Sequence, residues 1–131
     1  MERVLPVYKF TSDSHDIGEL TKPYLTSWGD EIHEKYQWDG ATMHWAAGLP
    51  KFGDSVDIAT IEHDYPYVYE GKLPSGVVMT RKQVDVLFVK NLREAGISPF
   101  TCERAYLLVR AFGWIKWRSK TQLNKQKTNY S

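Results

Sequence analysis

At 131 residues the chain has the commonest size of a single domain and enough length to bury a hydrophobic core. Its 17 Lys and Arg against 16 Asp and Glu leave a net charge of +1, too even a balance for a general nucleic-acid-binding field. Cys102 is the only cysteine, which excludes a scaffold held by internal disulfides. No apolar run has the length of a membrane span, and the start Met-Glu-Arg-Val-Leu-Pro lacks the apolar core and cleavage site of a signal peptide. The expected setting is a cytoplasm. Hydrophobic residues make up 42% of the chain, an ordinary value, but the 14% aromatic share, with five Trp and eight Tyr, is high. Rings beyond the needs of a core often line a pocket or an interface.

The first third reads as antiparallel strands. Residues 3–10 and 20–28 are rich in β-formers and are separated by the polar run Thr11-Ser12-Asp13-Ser14. Trp28-Gly29-Asp30-Glu31 supplies a turn, after which Ile32, Tyr36 and Trp38 alternate with His33, Lys35 and Gln37, the pattern of a hairpin strand. Asp39-Gly40 ends that strand, and the stretch to Gly53, with Gly48 and Pro50, reads as a loop.

From Asp54 the period becomes helical. Asp54 or Ser55 can cap, Asp57 suits the first turn, and Ile58 and Ile61 begin an apolar stripe. Pro66 should end or kink this helix just beyond His63-Asp64. After a loop at 72–79, Thr80-Arg81-Lys82-Gln83 has the form of a capping box, and Val84, Leu87, Phe88 and Ala95 continue at helical spacing to Gly96. Ser98-Pro99 opens a third helix, whose predicted apolar face is Cys102, Ala105, Tyr106, Val109 and Phe112, running to about Trp117. The expected architecture is α+β: N-terminal antiparallel β strands followed by three packed α helices in one domain, 1–118. A polar tail, 119–131, which lacks periodicity, is expected to be mobile.

The sharpest chemical pattern is His63-Asp64 at a helix end, where a neutral imidazole can act as a base and the adjacent carboxylate as a metal ligand. Two readings stay open, that one and a hydrogen-bonded core His beside a helix-end charge. Asp85, one turn into the next helix, can orient the ring of His63 or simply favour the helix dipole. Asp39 can form a turn or complete an oxygen-ligand site with Asp64. A metal phosphohydrolase drawing on His33 or His44 ranks below these, because its sites normally need a larger all-helical domain. Trp114, Lys116, Trp117 and Arg118 read first as a helix end whose cations suit the dipole, and second as a docking patch. Cys102 reads as a small buried hydrophobe.

Four blocks occur in a telling order: Tyr36-Gln37-Trp38-Asp39-Gly40, His63-Asp64-Tyr65-Pro66-Tyr67, Arg81-Lys82-Gln83-Val84-Asp85 and Val109-Arg110-Ala111-Phe112-Gly113-Trp114. Over roughly residues 20 to 118 they make the chain resemble a family of tailed-phage proteins of unknown function. That resemblance implies a phage-encoded virion or tail-associated structural component, made in the host cytoplasm, whose partners are other virion proteins or further copies of itself. A second similarity is to phospholipases A2, above all their disulfide-free viral versions, carried by Asp57, Ala59, His63, Asp64, Tyr67 and Asp85. It implies a calcium-dependent ester hydrolase with His63 and Asp85 as catalytic residues and Asp64 as a calcium ligand. Asp39 would rebuild the calcium site, because the Gly48 to Gly53 stretch departs from the glycine-rich calcium loop of those enzymes and Pro66 is unusual beyond the motif.

Overall fold

The computed structural model describes residues 3–41, 44–53 and 56–117. Five short strands precede four helices, so the fold is α+β with its strands at the N-terminal end. Strands β1 (Tyr8–Phe10), β2 (Gly18–Leu20) and β5 (Gln37–Trp38) form an antiparallel sheet in the order β1-β2-β5. Strands β3 (Tyr24–Leu25) and β4 (Glu31–Ile32) form a separate hairpin. The strands are shorter than the β-rich stretches predicted because turns interrupt them. The hairpin closes on a Thr26 amide bond to the Asp30 carbonyl (2.9 Å), with Gly29 at φ 101°. Ile32, Tyr36 and Trp38 are buried as their alternation predicts, yet they do not lie on one strand. Lys35 takes a φ of 75° and breaks the run between β4 and β5.

The stretch predicted as a loop before Gly53 contains one helical turn, α1 (His44–Ala47). Helix α2 (Asp57–Val68) runs past Pro66 instead of ending there. A proline near a helix C-terminus removes one donor, and the helix stops where Glu70 and Gly71 turn to φ 51° and 80°. The Gly71 amide bonds the Pro66 carbonyl at 2.9 Å, and a Cβ at Gly71 would lie 1.9 Å from the Met79 carbonyl oxygen, so only glycine fits this turn. The predicted caps Asp54 and Ser55 lie outside the described residues. Within them, the Asp57 carboxylate accepts from the Gly53 amide (2.9 Å) and closes the entry to α2.

Helix α3 (Arg81–Glu94) starts on the predicted capping box, with the Gln83 amide donating to Thr80 Oγ1 (3.1 Å) and the Thr80 amide to Gln83 Oε1 (2.8 Å). Gly96, at φ 87°, closes it. Helix α4 (Pro99–Trp117) is capped by Ser98 Oγ, which accepts from the Thr101 amide at 3.3 Å. Cys102 and Ala105 on α4 are buried as predicted, whereas Phe112 is half exposed. The tail after 118, read from sequence as mobile, lies outside the described residues. No helix among the described residues is long and apolar enough to cross a membrane.

The core has two lobes that meet on α2. One packs Leu20, Ile32, Tyr36 and Trp38 of the strand region against Ile61, Tyr65 and Val68 of α2. The other packs Val56 and Ala59 against Phe88, Val89 and Leu92 of α3 and Cys102 and Ala105 of α4. With packing on both sides, ten of the twelve α2 residues are buried, including the acids Asp57, Glu62 and Asp64. Buried carboxylates need partners. Glu62 accepts from Arg3, Tyr24, the amide and hydroxyl of Ser27, and Asn91. This tie holds the N-terminal segment, the β3–β4 turn and α3 around the middle of α2.

Candidate active site

His63 is the one α2 residue between Ala59 and Val68 that is not fully buried, its side chain retaining 17% exposure. Its ring stacks between Tyr67, four residues on, and Phe88 of α3, at centroid distances of 4.5 and 4.6 Å. Nε2 lies 2.8 Å from Oδ1 of Asp85, in hydrogen-bond contact. Asp85 has no exposed side-chain surface and accepts three further bonds. Tyr67 Oη donates at 2.6 Å, Arg110 Nη1 at 2.8 Å and Arg81 Nη1, one helical turn before Asp85, at 3.3 Å. Burial alone would raise the Asp85 pKa, but the donors His63, Tyr67 and Arg110 outweigh it and hold the carboxyl below its ordinary value. Asp85 is therefore an anion that accepts from Nε2–H, which leaves Nδ1 as the ring nitrogen able to take up a proton from outside the pair. Among the described residues Nδ1 has no hydrogen-bond partner.

Arg81 is held on its far side by the Val109 and Arg110 carbonyls of α4, at 2.9 and 3.1 Å. This contact needs Gly113. A Cβ there would meet Tyr67 Oη at 2.5 Å and Arg81 Nη1 at 3.0 Å. Three of the sequence blocks thus converge on one carboxylate: Tyr67 from the second, Arg81 and Asp85 from the third, Arg110 and Gly113 from the fourth.

The first block reaches the neighbouring cluster. Asp64 leaves α2 on a different side from His63, as adjacent helical residues must, and its Oδ2 accepts a hydrogen bond from the buried Tyr36 hydroxyl. Its Oδ1 lies 3.3 Å from Nζ of Lys116, which also contacts both Asp39 oxygens at 2.9 and 3.1 Å. Asp39 and Asp64, read from the sequence as a turn residue or an oxygen-ligand pair, both contact one lysine from the last turn of α4. Burial would lower the Lys116 pKa, but the Asp64 and Asp39 carboxylates outweigh it and raise it, so the ammonium stays charged. Burial and, more weakly, the charge of Asp39 raise the Asp64 pKa, against Lys116 and Tyr36. Among the described residues no group of three or more His, Cys, Asp or Glu is placed to hold a metal ion.

Both clusters border one cavity of about 120 Å³. His63, Asp64 and Lys116 contribute its polar wall, and Ala41, Leu49, Phe88, Leu108, Val109 and Phe112 are among the apolar residues of the rest. His44 also lines it, with Nδ1 3.2 Å from the Leu49 carbonyl oxygen, while His33 is exposed on the strand region. Sequence reasoning nominated His63, Asp64, Asp85 and Asp39 but missed Tyr67, Arg81 and Arg110 as a set, and missed Lys116 as the partner of the two acids. The signals were present for two of them, since Tyr67 stands four residues after His63 and Arg81 four before Asp85. For Arg110 and Lys116 only the packing of α4 reveals the contact. Compared with models of protein families, with curated proteins and with solved structures, the chain matches none.

Proposed function

We propose that the protein is a small ester hydrolase in which His63 Nδ1 activates water at the polar end of an apolar cavity. The observation that carries this reading is the asymmetry of the His63–Asp85 pair. Asp85 has three other donors, so its burial does not depend on His63, whereas the orientation of His63 depends on Asp85. A His serving only as a core staple has no need to line a cavity. In the proposed step Nδ1 takes a proton from water as the oxygen attacks an ester carbonyl, and Asp85 stabilises the imidazolium. The ring then returns the proton to the leaving alkoxide, giving acid and alcohol. Lys116 lines the same wall, its ammonium shared between Asp39 and Asp64.

The mostly apolar lining suits a short acyl chain rather than a polar group. Purified protein is expected to hydrolyse a chromogenic butyrate ester with saturation kinetics, and His63→Gln to reduce the rate by at least about 100-fold, the usual contribution of a general base. A folded wild-type protein inert toward acyl esters of every chain length would refute the proposal.

A second reading, that of a virion or tail component from a tailed phage, draws support from the outward face of α4. Phe100, Leu107 and Trp114 are exposed at a constant spacing of seven residues, with the Arg104 guanidinium over the Phe100 ring at 5.1 Å. If this stripe docks on other copies or on virion proteins, Leu107→Glu should abolish concentration-dependent association in sedimentation without lowering the melting temperature. A strictly monomeric wild type that also fails to join virions would end this reading.

A further inference from the structure

The calcium expectation placed Asp64 and Asp39 around an ion, and the structure places a cation between them that belongs to the chain. We infer that Lys116 is a tethered replacement for a divalent ion in this carboxylate pair, so that the centre beside His63 is charged and organised without a metal. The inference deepens the hydrolase reading, but its geometry stands whether or not that reading holds.

Four carboxylate oxygens are available, and all four are taken. Lys116 Nζ contacts both oxygens of Asp39 and Oδ1 of Asp64, and Tyr36 donates to Oδ2 of Asp64. The spacing fits nitrogen rather than calcium. The three Nζ contacts run from 2.9 to 3.3 Å, whereas calcium holds its oxygens at roughly 2.3–2.6 Å and takes about six to eight of them. An incoming ion would have to pull the acids inward and expel an ammonium whose backbone anchor is fixed in α4. Lys116 sits in the last turn of α4, and the next residue, Trp117, packs edge-on against Tyr67 at 4.9 Å. The chemistry also differs. The donors of an ammonium are fixed in number, and a tethered one cannot be removed by chelation.

Binding, rather than activity, tests the inference, so its outcome is separable from that of the hydrolase assay. Terbium serves as the calcium probe, with luminescence excited through the aromatic residues, Tyr36 being bonded to Asp64. Wild-type protein is expected to give no saturable signal and no change in melting temperature between EDTA and millimolar calcium. Lys116→Ala, which opens the space and frees the acids, is expected to gain saturable terbium binding, and the pair Lys116→Ala with Asp64→Asn to lose it again. A second measurement covers the case in which Lys116→Ala does not fold. In wild-type protein the Lys116 ammonium signal in nitrogen-15 spectra should be slow to exchange with water and unmoved by calcium. Calcium binding to the wild type that moves this signal and disappears in Asp64→Asn would overturn the inference. So would a folded Lys116→Ala protein that binds no terbium.

Discussion

Asp85→Ala should cost about 3–5 kcal/mol of folding stability, measured by urea denaturation, because it leaves buried charge without its partner. The side chain has no exposed surface, and its loss strands two guanidinium groups, the Tyr67 hydroxyl and the His63 Nε2–H around an empty volume. Asp85→Asn keeps the volume and should retain more stability. It should still lose hydrolysis, because an amide can present its NH₂ to Nε2 and stabilise the other tautomer of His63. Proton linkage gives a further check. The folded-state pKa of Asp85 is depressed, so between the folded value and the unfolded one of about 3.9 the unfolded chain binds more protons. The contribution of Asp85 is therefore fully present above the unfolded value and is lost as pH falls through the folded one. Wild-type stability should drop more steeply in that acid range than that of Asp85→Asn. Equal acid profiles for the two proteins would show that Asp85 is not the ionised hub described above.

Phe88→Ala should cost about 3–5 kcal/mol, the usual range for truncating a buried aromatic ring. Phe88 retains 5% exposure and packs in the lobe shared by α2, α3 and α4 as well as on the face of His63. A loss below about 1 kcal/mol would place the ring outside the core. Because Phe88 also lines the cavity, the same substitution should shift ester preference toward longer acyl chains, read as the ratio of kcat/KM values between substrates.

How much of this was legible in the sequence depended on whether the cause was local. The capping box at Thr80, the glycine closing α3 and the Ser98-Pro99 entry to α4 are short-range devices, and each stands where the residues predicted it. The strands were legible only as a burial pattern. Ile32, Tyr36 and Trp38 do face the core, but the left-handed Lys35 splits a segment whose alternation reads as continuous. Pro66 was expected to end or kink α2, and the helix does not end there, because the rule for proline concerns a local donor. In this chain the burial of nearly every α2 side chain holds the helix together for two more residues. The site shows the same division. The His63–Asp85 contact was one of two readings of Asp85, resting on antiparallel packing of neighbouring helices and on the order of the motifs, whereas Lys116 meets Asp39 across 77 positions of sequence, a contact that no local pattern announces.

The Glu62 tie has a consequence for how the chain assembles during synthesis. Its carboxylate is shared by Arg3, among the first residues described, and Asn91, near the end of α3, and these two also bond each other at 2.8 Å across 88 positions. A nascent chain that has exposed α2 but still holds Asn91 inside the ribosome already offers Glu62 the Arg3 cation and the donors of Tyr24 and Ser27, and lacks only the neutral Asn91 amide. The strand-side lobe can therefore dock on α2 first, and the second lobe closes when α3 and α4 emerge.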